Sequence, residues 1–509
     1  MHVCQNWRQT VFTSPRSLHL QLCCKYGTHV SKTLECWPAL PITVQYGGSS
    51  TLDPPSPEDE DNLLAVLKQA DRVGSISLTI TDSLLAKVFA IEKPFLELEE
   101  LDLLSQDDAQ LTLPSIFQWG PRLRRLHLTR IAIPALSQLS SSTGLVDLQL
   151  YEIPDAVYVS PEAFANALSG MTQLRSLSLH FLSLSPRRNY GSVPPPSGER
   201  IVLPALTCLK YQGTGKYLDN LVARIDAPRL GDVDITLFGQ TALDVLRLGQ
   251  FIERVEMRRQ LSQADILFSP SAVSIRFSHP SAPTRLGLRI PGRELDWQLP
   301  TMTQILNQFS DFLSNVSSLG IKMAESPSGQ VDVGRELWLN LIRAFGSVEH
   351  FRVARELATD ILRGLCTAEG EPAIVLPALR DLRIRKPLAL HGPLWDAVES
   401  FNVSRWLSGR PVLVSATQYS CHLCNASSKD QIQLRWHLKG RHKYHFVCSF
   451  CPDFESRSSN DYGLHREHLE SRHPEVAPIP ERTSSPAYES LWTVQAPQSR
   501  RRDRGTQGD

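Results

Sequence analysis

A short apolar phrase, φ-x-x-φ-x-φ with φ an aliphatic or aromatic residue, recurs along this chain and limits its fold more than any other feature. Copies stand at Val73/Ile76/Leu78, Leu98/Leu101/Leu103, Leu123/Leu126/Leu128, Leu145/Leu148/Leu150 and Leu174/Leu177/Leu179. Further copies are Leu206/Leu209/Tyr211, Leu230/Val233/Ile235, Ile252/Val255/Met257, Val316/Leu319/Ile321, Val348/Phe351/Val353 and Leu379/Leu382/Ile384. The early steps are roughly 22–32 residues, within the range of leucine-rich repeats. The closing φ-x-φ places alternate side chains on one side of a strand. The first φ packs where the chain turns into that strand. One such unit cannot bury its own apolar face, so neighbours must stack. The expected class is α/β: an irregular leucine-rich-repeat-like solenoid, a curved parallel sheet with helices, over residues 62–414.

Helices between the copies are legible. Ser160-Pro161 opens one and Gly170 closes it, a pairing of N-cap, first-turn proline and terminal glycine. Trp338, Leu341, Ile342 and Phe345 share one helical face, as do Ile305, Phe309 and Phe312. The repeat weakens between 258 and 315. Residues 48–61 are acidic and Pro-rich and read as a flexible loop, as do 184–200 and 325–331. Residues 1–47 hold a helix-spaced run (Val3, Trp7, Val11) and the anchors Tyr26 and Trp37, and read as an N-terminal cap. After Pro411 the pattern stops. The tail 475–509 is polar and is expected to be disordered.

At 509 residues the chain exceeds one ordinary core. Lysine plus arginine balances aspartate plus glutamate at 53 each, which argues against a surface that coats nucleic acid or anionic membrane as a whole. Six of the ten cysteines are scattered with no disulfide-like pattern. Scattered thiols beside metal-ligand spacing fit a reducing, intracellular compartment, nucleus or cytoplasm. Residues 1–7 do not read as a signal peptide, and no run of ~18 apolar residues suggests a membrane span.

The chemistry is concentrated near the C-terminus. Cys421, Cys424, His437 and His442 follow C-x2-C-x12-H-x4-H, and Cys448, Cys451, His468 and His473 follow directly. Soft and borderline ligands at these intervals close tetrahedral zinc sites. Tyr419, Leu434 and Phe446 stand where the C2H2 zinc-finger family places its small core, so residues 419–445 resemble that family closely and 446–474 resemble it with a longer central gap. The resemblance implies two ββα fingers and about two Zn2+ per chain. Ser428 replaces the family's central aromatic. Gly440 is expected to loosen the last turn and bring His442 round, and His445 and His465 are rival ligands in the second array. The bland alternative is ordinary surface histidines and free thiols.

Metal binding is separate from base reading. Counting back from His437, the base-reading helix positions fall on Asp430, Gln433 and Trp436, and tryptophan is a poor base reader. Lys429, Arg435, Lys439, Arg441 and Lys443 make the first finger basic enough for phosphate contact. Protein docking is the primary expectation, and nucleic-acid binding through the fingers stays open.

The run Val3-Cys4-Gln5-Asn6-Trp7-Arg8 resembles the last helix of an F-box. The phrases KTLECWPALPI (32–42), SPEAFANALSGMTQLRSLSL (160–179), YLDNLVARIDAPRL (217–230) and DAVESFNVSRWLSGRPV (396–412) resemble fungal F-box proteins with leucine-rich-repeat-like domains. That likeness covers most of 1–414. It implies docking to the Skp adaptor of an SCF-type ubiquitin ligase, with the solenoid recruiting a substrate. The family's opening L-P-x-E-[IL] helix does not occur in this sequence, so most of the adaptor-binding surface is expected to be missing.

Catalytic signals fail. Gly213-Thr214-Gly215-Lys216 lacks the upstream glycine and the hydroxyl after lysine that a phosphate loop needs, and His465-Arg466-Glu467-His468 is not H-E-x-x-H. Full zinc ligand sets would leave no open position for a substrate water. The sequence therefore reads as a non-enzymatic adaptor with a protein partner and no membrane.

Overall fold

The computed structural model describes residues 20–24, 29–37, 40–47, 57–91, 93–106, 111–112, 121–132, 143–153, 159–182, 200–238, 246–292, 294–324, 334–366, 375–389, 392–421, 423–424, 426–428, 431–442, 445–448, 455–456, 462–474 and 492–495, with Gln5 and Gln9. They form two compact units. One comprises Met1–Gln260 with Ala282–Pro291, the other Leu261–Ser281 with Gly292–Asp509.

In the first unit ten strands pair in parallel. In ladder order they are Leu20–Cys23, Ile42–Tyr46, Val73–Ile80, Glu100–Ser105, Arg125–Thr129, Asp147–Ile153, Ser176–Phe181, Cys208–Gly213, Asp232–Leu237 and Ala282–Pro291. The register puts equivalent residues of successive copies side by side. Leu101, Leu126, Leu148, Leu177, Leu209, Val233 and Leu286 make one apolar row, and Leu103, Leu128, Leu150, Leu179, Tyr211, Ile235 and Leu288 another. Nearly all are fully buried. Burying each such side chain contributes about 1.5–3 kcal/mol. The leading residues Leu145, Leu174 and Leu206 are fully buried beneath the turns.

Those turns repeat as well. The carbonyl of Glu99 accepts from the N–H groups of Arg124 (2.8 Å) and Arg125 (3.0 Å). Arg124, Val146, Arg175 and Thr207 repeat this double acceptance towards the next copy. Each strand entry is thus fixed to its neighbour by backbone alone, which leaves the side chains free to vary.

Helices Pro57–Leu67, Asp82–Phe89, Pro161–Leu168, Gly215–Val222 and Leu246–Arg254 lie between the strands. Ser160 caps its helix as expected, its Oγ accepting from Ala163 N–H at 3.1 Å with Pro161 in the first turn. Three expectations change. The ladder begins before 62, because Ile42, Val44 and Tyr46 alternate inward and are buried. Residues 57–61, read as loop, open a helix. Pro57 with Glu58, Asp59 and Glu60 in the first turn is a favourable helix start. Ile252, Val255 and Met257 are buried but form no strand. Leu248, Phe251, Ile252 and Val255 also satisfy helical spacing, and that period wins: a helix ends at Arg254 and a 3-10 turn spans Glu256–Arg259.

The second unit opens with an antiparallel hairpin, Gln263–Ser269 and Ala272–His279, in the region where the repeat weakens. Alternation explains it: Ala264, Ile266 and Phe268 face inward with Val273, Ile275 and Phe277. Parallel strands Ser318–Met323, His350–Ala354, Asp381–Ala389 and Leu413–Ser420 follow on from Gln263–Ser269. The double acceptance recurs at Ser262, Ser317 and Glu349. Trp338, Leu341, Ile342 and Phe345 are buried together with Ile305, Phe309 and Phe312, as their spacing predicts. The sheet continues past Pro411 through Leu413–Ser420, beyond the expected boundary at 414. Among the described residues no helix is long and apolar enough to cross a membrane.

The open faces of the two sheets differ. In the first unit Glu100 pairs with Arg125, Asp102 with His127 (3.1 Å) and Asp232 with Arg285 (2.9 Å). The rings of His127, Tyr151 and His180 stand edge to face at 5.0 and 4.3 Å, and burial pushes His180 below the usual histidine range. In the second unit one row runs Arg276, Asp265, Gly320, Arg352, Arg383 and Ser415 across adjacent strands. Lys322 and Arg385 lie two residues further along their strands.

Candidate metal centres

The first Cys/His group grows directly out of the sheet. Leu413–Ser420 pairs in parallel with Asp381–Ala389 along its length, and its last two residues also pair antiparallel with Ser427–Ser428. Between them the chain makes a tight knuckle. The Cys421 N–H donates to the Ala426 carbonyl (2.8 Å) and the Leu423 N–H to Cys421 Sγ (3.4 Å). Helix Gln431–His442 then supplies both histidines. It runs unbroken through Gly440, so His442 is reached without the loosened last turn expected there.

Cys421 Sγ lies 3.5 Å from His442 Nε2 and Cys424 Sγ lies 3.2 Å from His437 Nε2. The four ligand atoms all fall within 4.8 Å of one another. Zinc at its ordinary Zn–S and Zn–N lengths needs S···N edges of about 3.5 Å in a tetrahedron. The set therefore fits a metal of that kind. The two imidazoles stand edge to face with centroids 5.1 Å apart at 71°. Behind them only Leu434, Leu438 and Cys421 are buried among the described side chains of 421–442. The Tyr419 side chain, the expected aromatic anchor, lies outside the described residues.

The second group has the same plan. Strand His445–Cys448 pairs antiparallel with Glu455–Ser456, and helix Tyr462–Arg472 carries His468. His473 follows, its N–H donating to the Leu469 carbonyl at 2.8 Å. The ligand atoms of Cys448, His468 and His473 lie within 4.8 Å of one another, and the imidazoles repeat the first group's geometry at 5.3 Å and 69°. Cys451 and the side chains of Phe446, His445 and His465 lie outside the described residues. Strand Trp492–Gln495 adds a third antiparallel strand along His445–Cys448, within the segment expected to be disordered; the rest of 475–509 lies outside the described residues.

Of the expected base-reading residues, Gln433 is exposed and its Oε1 accepts from Ser428 Oγ at 3.0 Å. Asp430 and the Trp436 side chain lie outside the described residues. So do Lys429, Lys443 and the side chains of Arg435 and Lys439, whereas Arg441 is exposed on the helix. The F-box-like run, including Trp7, also lies outside them except for Gln5. Sequence reasoning named nothing on the open sheet faces. The signal was there, in the polar x of each φ-x-φ, but became legible only once register placed those residues side by side.

No protein-family model and no curated protein matches this chain. Among solved structures, the crystal structure of an internalin from Listeria monocytogenes matches at 12% identity, covering 70% of this chain and 84% of that one, with a TM-score of 0.21. A score this low carries no argument here.

Proposed function

We propose that the chain is a non-enzymatic, intracellular adaptor: a leucine-rich-repeat-like scaffold that binds a protein partner and ends in two zinc-stabilised modules. The observation that carries the metal part is the convergence of Cys421, Cys424, His437 and His442 within 4.8 Å, at edges suited to tetrahedral zinc. The adaptor part is supported by the stacked copies, whose recurring apolar phrase serves packing and leaves the open faces for recognition. Cys451 completes the second ligand set in this reading, as its place in the sequence suggests. The resemblance of 1–414 to fungal F-box proteins supports ubiquitin-ligase substrate recruitment as the setting.

The test is the metal content of the purified chain. The expected result is about two zinc ions, falling to about one in Cys421→Ser, in line with four ligands per structural site. A content of one or none in the unsubstituted chain removes the tandem reading. Pull-down with a Skp-type adaptor, after the F-box family's opening helices have been joined to the chain, tests the ligase setting; no retention removes that part and leaves the metal part standing.

A further inference from the structure

The open face of the second unit carries a charge pattern that packing does not require. Across strands Ala272–His279, Gln263–Ser269, Ser318–Met323, His350–Ala354 and Asp381–Ala389 it presents five cations, Arg276, Lys322, Arg352, Arg383 and Arg385, against two carboxylates, Asp265 and Asp381. Both carboxylates are engaged: Asp265 with Lys322 (2.8 Å) and Arg352 (3.6 Å), Asp381 with Arg383 (2.8 Å) and His350 (3.7 Å). Arg276 and Arg385 are exposed and have no acidic partner among the described residues.

Two details set this apart from a solvated face. Arg352 and Arg383 are direct register partners, so like charges stand on adjacent strands, an unfavourable arrangement unless an anion lies between or above them. The Arg352 guanidinium is partly sunk: Nε and Nη2 are buried, Nη2 facing Asp265 Oδ1 at 3.6 Å and Nε without a hydrogen-bond acceptor among the described residues. Gly320 sits between Asp265 and Arg352 in the row. A Cβ there would overlap Asp265 Oδ1, so the absence of a side chain makes room for the Asp265 carboxylate, which reaches Lys322. The first unit pairs its charges in register at the corresponding positions and shows no such excess.

We propose that this face binds an extended acidic segment of a partner protein, rich in glutamate or aspartate, laid across the strands and held by the exposed Arg276, Arg383 and Arg385. The inference deepens the adaptor reading and rests on it only in taking the partner to be a protein. A bidentate carboxylate suits the exposed planar fork of Arg385, with Arg383 beside it on the same strand. Nucleic acid is the less favoured polyanion, since the face offers few aromatic side chains on which bases would stack.

The test is fluorescence polarisation with the full zinc-loaded chain and a labelled peptide of alternating glutamate and serine. The same peptide with glutamine for glutamate and a single-stranded oligothymidylate serve as comparators. The glutamate peptide should bind more tightly than both, weaken with salt, and bind about tenfold or more weakly to Arg383→Glu combined with Arg385→Glu. Equal binding of the glutamine peptide, unchanged affinity in the double variant, or preferential capture of the oligothymidylate overturns the proposal. Should the double variant fail to fold, hydrogen exchange on the unsubstituted chain decides. Protection of 318–323, 350–354 and 381–385 by the glutamate peptide supports the site, and protection elsewhere removes it. A chain that holds two zinc ions but ignores the peptide retains the metal reading and loses this one.

Discussion

The repeat sheets and the Cys/His modules solve the same problem with opposite means. In the sheets each copy is held by apolar rows that run from strand to strand, such as Leu101 through Leu286, and by carbonyls that each accept two N–H groups from the next copy. Removing any one group leaves many others. Among the described residues the modules show little such reserve. Behind Cys421 and His437 lie Leu434 and Leu438; beside Cys448 and His468 lies Leu469. On the proposed reading, metal coordination supplies the folding free energy that these few described apolar groups do not. Redundancy on one side and a single point of failure on the other should show up as different responses to the same perturbation.

The largest contrast is expected from a strong chelator. Amides of 421–442 and 462–473 should lose their exchange protection and become protease-sensitive, while those of 176–181 and 208–213 stay protected. Helices that persist in the stripped modules would erase the distinction.

A cavity in the sheet core gives a graded effect. Leu177 is fully buried in the middle of its row. Leu177→Ala should cost about 3 kcal/mol in a urea titration followed by a first-unit probe, with zinc content unchanged. Loss of zinc in that variant would mean that the two regions fail together.

The smallest effect is alkaline. Burial pushes the Cys24 thiol up from 9.0 to about 12 and the Tyr46 phenol from 10.0 to about 12. The folded state therefore keeps these protons longer than the unfolded chain does. Their contribution is complete below about pH 9 and is lost as pH rises towards 12. Urea midpoints of the first unit should fall across that window, and less steeply in Cys24→Ala. An identical slope in the variant would remove the thiol from the account.

How much of this could be read from residues alone follows the same division. The copies from Val73 to Ile235 were legible because a strand period and a fixed spacing point to the same positions, and all their apolar residues are buried. The Cys/His positions stand out in the sequence because ligand spacing follows from coordination geometry and not from tertiary context; seven of the eight come together in two groups, and Cys451 lies outside the described residues. The strand Ile42–Tyr46 lacks the full phrase and is hard to pick out, although Ile42, Val44 and Tyr46 alternate plainly. At Ile252–Met257 two periods fit the same letters, and only packing chooses between them. The hairpin from Gln263 to His279 was hidden by a template built for parallel copies. The cationic row was out of reach for a deeper reason: Arg276, Arg352 and Arg383 are far apart in sequence and become neighbours through register, which no local pattern encodes.

One further consequence comes from the strand Leu413–Ser420, which serves the last sheet position and the first knuckle without interruption. A module hung on a tether explores many orientations and must give them up when its host engages a partner at two points. Here the swivel has been designed out. A ligand touching both the helix Gln431–His442 and the sheet beside it would meet two surfaces already in fixed relation, so its second contact would carry little of the ordering cost that a flexible joint imposes.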